Sequence, residues 1–183
     1  IVISNPFPPI GEKVPVKLLD QLTTYMVIAT VIGARLGHCL FYEPAYYLRH
    51  PVEILKVWEG GLASHGAAIG ILIAVYIFSR KNKVSYLWSM DRVATVTALA
   101  GFFIRMGNLM NSEIFGRETS LPWGFKFIKA HEPDDIDLTL ARHPTQIYEG
   151  LAYLLIFAIL ILIYYKKNGK PREGSLICIF LVL

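Results

Sequence analysis

The chain has 183 residues, 54% of them hydrophobic and only 17% charged, with a formal net charge of +4. This excess of apolar residues excludes an ordinary soluble domain and predicts an all-α polytopic membrane protein, with residues 1–183 forming a single membrane domain. Its two cysteines, Cys39 and Cys178, are too few for a disulfide framework or a thiolate metal site, and both are expected to act as buried hydrophobes.

The apolar runs predict about four complete transmembrane helices followed by a truncated fifth. Before them, four prolines within residues 1–17 indicate an irregular loop. In the first span, Gly33 and Gly37 form a small-xxx-small pair that predicts close helix packing. The last apolar run is too short to cross about 30 Å of hydrocarbon, so we expect a fragment that lacks both ends of its parent protein. The predicted spans cover residues 18–42, 61–79 and 88–104, then a fourth from the 143–149 motif to about 165, and a fifth from about 174.

Two longer connectors separate these spans. Residues 43–60 are rich in Tyr, Trp and Pro, which predicts an interfacial helix near residues 45–59 that lies on the bilayer. Residues 111–147 form the longest polar segment of the chain. Alternation within 122–129 permits a short hairpin, and residues 131–137 form an acidic loop.

The distribution of basic residues predicts the orientation of the spans. Ten of the 18 Lys and Arg residues, but only four of the 14 acidic residues, fall in three segments, at 1–20, 80–92 and 166–173. Because cytoplasmic loops are enriched in Lys and Arg, we expect these segments in the cytoplasm. The outward-facing parts are then the connector at 43–60 and the 105–147 loop region, with residues 111–147 as an extracytoplasmic head segment.

Polar residues that are unusual in membrane helices gather at the predicted outer end. A charge such as that of Arg105 costs roughly 2.5–3.5 kcal/mol at the bilayer centre, so its presence calls for an explanation. Arg105 either forms a site for an anionic group or extends its side chain to the headgroups, as snorkelling arginines do. Arg35 and His38 share one helix face, either as structural contacts or as site lining. His65 is either a site residue or a hydrogen-bonded packing residue. The gathered residues are Arg35, His38, His65, Arg105, Asn108, Asn111, Glu113, His143 and Glu149.

These residue types suit group transfer from a phospholipid. The planar guanidinium of Arg105 matches a phosphate, and neutralising that phosphate makes it a better leaving group. A histidine takes a proton from an incoming nucleophile, while Glu113 or Glu149 orients the histidine, pairs with an arginine or acts as the base itself. No ligand spacing of a metal site and no phosphate-binding loop is present, so no metal, other cofactor or nucleic-acid partner is expected.

Three motifs carry a family resemblance: GGLASHGAAIG at 60–70, RMGNLMNSEIFGR at 105–117 and RHPTQIYEG at 142–150. Together with GARLG at 33–37, their order and spacing resemble the phosphatidylglycerol–prolipoprotein diacylglyceryl transferases. Ile104 and Leu109 depart from the family pattern, where Gly and Phe are expected. The resemblance implies a multi-pass enzyme of the bacterial inner membrane, active at the outer leaflet. It implies transfer of the diacylglyceryl group of phosphatidylglycerol to the thiol of a lipobox cysteine in a prolipoprotein, with release of glycerol phosphate.

The resemblance also implies roles for individual residues. We expect His65, Arg105 and Glu113 to be catalytic, with His65 as the base. Arg105 is also expected to bind phosphatidylglycerol, and His143 and Glu149 are expected to support the site. The other expected lipid-binding residues are Asn108, Asn111, Gly116 and Arg35.

The family carries further essential residues in segments that precede and follow this chain, so we expect the fragment itself to be inactive. The first alternative is a non-enzymatic lipid-binding or transport membrane protein, and the second alternative is another phospholipid transferase or phosphatase. A transporter is expected to have polar residues at mid-bilayer and an internal repeat. Here the polar residues gather at one leaflet, and no internal repeat is visible in the sequence.

Overall fold

The structure, a computed structural model, describes residues 16–130, 137 and 139–183. Its regular structure is helical, as predicted, and the only β pairing in the described residues is a pair of isolated bridges. The predicted proline-rich loop before residue 16 and most of the acidic loop at 131–137 lie outside the described residues. The helices are α1 (Val16–Phe41), α2 (Pro44–Arg49), α3 (Ser64–Asn82), α4 (Tyr86–Asn111), α5 (Thr145–Lys166) and α6 (Ser175–Val182).

Three of these helices are long and apolar enough to cross a membrane, at Lys17–Phe41, Tyr86–Asn111 and Thr145–Lys166. Four complete spans were predicted, and the helix that does not qualify is α3. Its 19 residues begin with Ser64 and His65 and end with basic residues in the last turn, which lowers its mean hydropathy.

The described chain divides into two compact units, one up to Met90 and one from Asp91 onward, and α4 runs through the division. In the first unit, α1 and α3 pack backbone to backbone. A Cβ added at Gly66 would lie 2.7 Å from the Cα of Gly37, closer than real Cβ atoms approach. The predicted packing role of the glycine pair in α1 is therefore confirmed, because only glycine allows this separation.

The connector between α1 and α3 differs from the prediction. The single interfacial helix expected near 45–59 is wrong, because the chain forms the short α2 and then two 3-10 turns, Pro51–Leu55 and Val57–Glu59. The break falls at His50, whose φ of −127° and ψ of 63° are not helical. A residue before proline is disfavoured in the α region, and Pro51 has no N–H to continue the helical hydrogen bonds.

In the second unit, α4 continues past its predicted end at Ile104 to Asn111. Arg105 and Asn108 are therefore helical residues rather than members of a loop. The same unit has a buried core of Ala98, Leu160 and Leu176.

At the start of this unit, Asp91 is fully buried and caps the first turn of α6. It accepts hydrogen bonds from the backbone N–H groups of Gly174 and Ile177, each at 2.9 Å. From the sequence, Asp91 is only one acidic residue within the basic segment at 80–92.

The segment between α4 and α5 contains no hairpin at 122–129. Instead Phe125 and Glu118 each form an antiparallel bridge with Arg142, close to the start of α5. The Phe115 and Phe127 rings stack with 4.9 Å between their centroids. The head segment is thereby held against the beginning of α5.

Candidate functional site

The predicted site residues fall into two clusters, one in each compact unit. The first unit contains Arg35, His38 and His65. The second unit contains the remaining candidates and brings most of them together. The second-unit candidates are Arg105, Asn108, Asn111, Glu113, Gly116, His143 and Glu149.

An ion pair joins α4 to α5 in the second unit. Arg105 Nη2 lies 2.5 Å from Glu149 Oε2, and the two side chains are 23% and 44% exposed. The helices approach closely beside this pair because Gly150 leaves room for the Met106 side chain; a Cβ there would lie 2.7 Å from Met106 Cε. Glu149 thus orients a partly shielded guanidinium.

Beyond Asn111 the chain makes a sharp turn that carries Glu113. The Glu113 N–H donates to the Asn108 carbonyl at 2.9 Å, and Asn108 Nδ2 donates to Glu113 Oε2 at 3.0 Å. Ser112 and Ile114 both have φ near +57°, at 58° and 56°. This left-handed conformation costs roughly 1–2 kcal/mol for a residue with a Cβ, so the surrounding contacts must hold the turn in place.

Those contacts come from the HPTQ motif at 143–146, which leads into the first turn of α5. Gln146 Nε2 donates to the Glu113 carbonyl at 2.6 Å, and Thr145 Oγ1 donates to the Ile114 carbonyl at 2.9 Å. The Gly116 N–H donates to the His143 carbonyl at 2.9 Å. A Cβ on Gly116 would lie 2.7 Å from Thr145 Cγ2, which explains the glycine at this position. The second and third sequence motifs therefore form one structural unit.

Gln146 is the residue of this group that sequence reasoning missed. It is only 1% exposed, although it lies in the first turn of an apolar helix. The available signal was a glutamine at the start of a membrane helix, inside one of the three motifs that carry the family resemblance.

His143 contacts a second residue that was missed, Tyr148. The His143 Nδ1 atom lies 3.2 Å from the Tyr148 hydroxyl, and Trp123 Nε1 donates to the same hydroxyl at 2.9 Å. The Tyr148 hydroxyl therefore joins Trp123 of the head segment to His143. These contacts tie the head segment to α5.

In the first unit, Arg35 is 4% exposed and spreads its guanidinium over the connector. It donates to four backbone carbonyls and lies over the Tyr47 ring, 5.2 Å from the centroid. Of the two alternatives for Arg35, this geometry supports the structural one, and its role in lipid binding stays a prediction. The accepting carbonyls belong to Glu53, Ile54, Gly60 and Gly61, at 2.5, 3.0, 2.7 and 3.3 Å.

His65 lies at the start of α3 and is exposed. Aromatic rings surround it: the Phe41 centroid is 5.2 Å away and the Tyr42 centroid 5.8 Å away. His38 stacks on Tyr42 with a centroid separation of 5.4 Å. An exposed imidazole next to apolar rings is accessible to a substrate, and its role as the base stays a prediction.

Asn111, the last residue of α4, is also exposed, and its role in lipid binding stays a prediction. Across the described ranges, no three His, Cys, Asp or Glu side chains are grouped closely enough to hold a metal ion.

Comparison with known proteins identifies a family whose members match nearly the whole chain. The family model described as prolipoprotein diacylglyceryl transferase matches residues 9–183. Three similar relatives carry the name phosphatidylglycerol–prolipoprotein diacylglyceryl transferase. The relative from Porphyromonas gingivalis is 49% identical over 169 residues, which cover 91% of this chain and 60% of the relative. The relatives from Tolumonas auensis and Chloroherpeton thalassium are each 50% identical to this chain. The matched regions cover 94% and 91% of this chain, and 64% and 60% of the lengths of the two relatives. The chain thus spans less than two thirds of the length of these relatives.

Proposed function

Because this multi-pass membrane chain belongs to the prolipoprotein diacylglyceryl transferase family, we propose that its protein transfers the diacylglyceryl group of phosphatidylglycerol to a prolipoprotein. The acceptor is the thiol of the lipobox cysteine, and glycerol phosphate is released. The observation that carries this proposal is the Arg105–Glu149 ion pair at the end of a membrane-length helix, beside the turn that holds Asn108 and Glu113. This arrangement offers a cation for a lipid phosphate and polar groups for its headgroup.

In the proposed reaction, Arg105 binds the phosphodiester. Its planar donors match two phosphate oxygens, and its charge remains at any relevant pH. Glu149 keeps the guanidinium in one orientation, so the positive charge is already in place when negative charge develops on the leaving group.

The headgroup lies against the turn after α4 in this proposal. Asn108, Asn111 and Glu113 supply polar contacts, and Gly116 allows close approach of the backbone. His143 supports the turn, since its carbonyl accepts the Gly116 N–H.

The chemical step is a displacement at carbon. The cysteine sulfur forms a bond to the glyceryl carbon, and the bond between that carbon and the phosphate oxygen breaks, with the electron pair leaving on glycerol phosphate. A free thiol has a pKa of roughly 8.5, so a base is required to make the thiolate near neutral pH. We assign this role to His65, which receives the thiol proton, and Glu113 is the other candidate.

The proposed membrane arrangement has four complete spans, with α3 as the second and α6 as the beginning of a fifth. Bacterial inner membrane is the proposed location. The basic segments at 80–92 and 166–173 lie in the cytoplasm, so that the active site faces the outer leaflet and residues 111–147 form the extracytoplasmic head segment.

The decisive experiment is transfer from labelled phosphatidylglycerol to a lipobox peptide by the complete protein in membranes. We expect the label on the peptide cysteine, and no label when that cysteine is replaced by serine. Binding of phosphatidylglycerol without any transfer would contradict the proposal and support a non-enzymatic lipid-binding protein.

A further inference from the structure

Two buried amide oxygens of the site have no hydrogen-bond partner among the described residues. They are Asn108 Oδ1 and Gln146 Oε1. Buried polar atoms in proteins are nearly always hydrogen-bonded, and the exceptions call for a physical explanation. Gln146 is 99% buried, so the exception is not a matter of surface exposure.

The contacts of the amide nitrogens establish that the two atoms without a hydrogen-bond partner are oxygens. Gln146 faces the Glu113 carbonyl, which only accepts, so the atom 2.6 Å from it is the nitrogen. Asn108 faces the Glu113 carboxylate at 3.0 Å, which likewise requires a donor. In both side chains the opposite atom is therefore an acceptor.

Both amides are bonded to the same residue. Asn108 contacts the side chain of Glu113, and Gln146 contacts its main-chain carbonyl. The two open acceptors therefore flank Glu113, whose carboxylate adds further acceptor capacity. Such a group of acceptors repels phosphate oxygens and binds a group that donates hydrogens. Arg105, which pairs with Glu149 nearby in the same unit, has the opposite preference.

We propose that Gln146 is a specificity-determining residue for the lipid headgroup. Its Oε1 accepts a hydrogen bond from a hydroxyl of the headgroup, next to Asn108, while its Nε2 holds the turn. This inference rests on the proposed function, in which the lipid is phosphatidylglycerol. The glycerol headgroup of that lipid carries two hydroxyls beyond the phosphate that Arg105 binds.

The test compares two lipids on the complete natural protein in nanodiscs. Phosphatidylpropanol has the same charge, phosphodiester and three-carbon headgroup as phosphatidylglycerol but lacks the hydroxyls. In a competition measured by native mass spectrometry, we expect a preference for phosphatidylglycerol of about fivefold to tenfold, as one hydrogen bond provides. Equal binding of the two lipids would overturn the inference.

Three variants assign the preference to Gln146. Gln146→Met removes the acceptor, and we expect the preference to fall to about onefold. Gln146→Glu keeps an accepting oxygen and the size of the side chain but, like the Met variant, loses the Nε2 donor to the Glu113 carbonyl. We therefore expect Gln146→Glu to bind both lipids more weakly while it retains the preference, and a preference that is lost in this variant would also contradict the assignment. Thr145→Ala loosens the same turn without touching the acceptor, so both lipids should weaken together. A preference that survives in Gln146→Met, or is lost equally in Thr145→Ala, would contradict the assignment.

The outcomes separate this inference from the proposed function. A preference that depends on Gln146, without transfer to a lipobox peptide, would leave the headgroup site in place and refute the transferase. Transfer to the peptide without any lipid preference would support the transferase and refute the role of Gln146 in headgroup specificity. A change in peptide affinity alone in Gln146→Met would assign the open oxygen to the peptide and overturn the inference.

Discussion

Arg105 Nη2 contacts Glu149 Oε2 across the gap between α4 and α5, at 2.5 Å. A guanidinium carries five N–H donors, so Arg105 has donors beyond the one that this contact uses. The arginine is the more shielded of the two side chains, 23% exposed against 44% for the glutamate. A lipid phosphate therefore meets a guanidinium that is already oriented and still has donors to offer.

Replacing Arg105 by lysine tests the importance of this fork. Lysine keeps the charge but not the planar pair of donors, so we expect Arg105→Lys to lower kcat/KM for transfer by about 10²-fold with unchanged membrane insertion. The matched control is Arg117→Lys, an exposed residue of the same motif, which should keep its activity. Full activity in Arg105→Lys would remove Arg105 from the mechanism.

The base assignment predicts a defect in chemistry rather than in lipid binding. In His65→Ala we expect transfer to fall by about 10²–10⁴-fold, as loss of a general base does, while phosphatidylglycerol still binds. Raising the pH toward the thiol pKa of roughly 8.5 should recover part of the rate, because the thiolate then forms unaided. Single-turnover kinetics at several pH values measure both effects. Loss of lipid binding instead would show that His65 is not the base.

Gly116 is predicted to be intolerant of any side chain. A Cβ there would collide with Thr145 Cγ2 at 2.7 Å and with His143 Cβ at 2.8 Å, so Gly116→Ala should displace the turn that carries Glu113 and abolish most of the transfer. Thr145→Ser removes the colliding methyl group and keeps the hydroxyl. The double variant should therefore recover part of the activity, whereas an inactive double variant would point to a different role for the glycine.

Arg35 is predicted to act mainly on stability. Arg35→Lys cannot satisfy the four carbonyls of the connector, so we expect a loss of roughly 2–3 kcal/mol, visible as a lower thermal midpoint in detergent, with little change in KM for the lipid. Arg49→Lys, an exposed arginine of α2, is the control. A raised KM with unchanged thermal stability would instead support the lipid-binding role.

The glycine contact between α1 and α3 predicts a second stability effect. Gly66→Ala inserts a methyl group against the backbone of α1, and overpacking of this kind costs about 1–3 kcal/mol. Gly107→Ala is the matched control, because a Cβ there has no atom within 4 Å and alanine is the better helix former. Thermal unfolding of both variants tests the difference; equal midpoints would show that this contact is not tight in the folded protein.

Much of the fold could be predicted because membrane helices are recorded in the sequence as long apolar runs. The exceptions arise where neighbouring residues decide the conformation. Pro51 divides the connector into short pieces, and α4 continues through the polar residues from 105 to 111 because a helix keeps its backbone hydrogen bonds satisfied beyond the apolar stretch.

The site could be predicted only as far as its charged and motif residues. Arg105 and Glu149 are separated by 44 positions in the sequence, and no local sequence pattern predicts which acidic residue pairs with which basic residue. Gln146 contacts Glu113 and Tyr148 contacts Trp123, in each case a residue far away in the sequence, so their participation becomes visible only in three dimensions.

The cap that Asp91 forms on α6 has a consequence for how the protein is made. Its two partner amides are synthesised 83 and 86 residues later, so the carboxylate leaves the ribosome long before its hydrogen-bond donors exist. The buried carboxylate therefore gains these two donors only when α6 has been made and has packed against the start of α4. Packing of α6 is accordingly a late step in the folding of this unit.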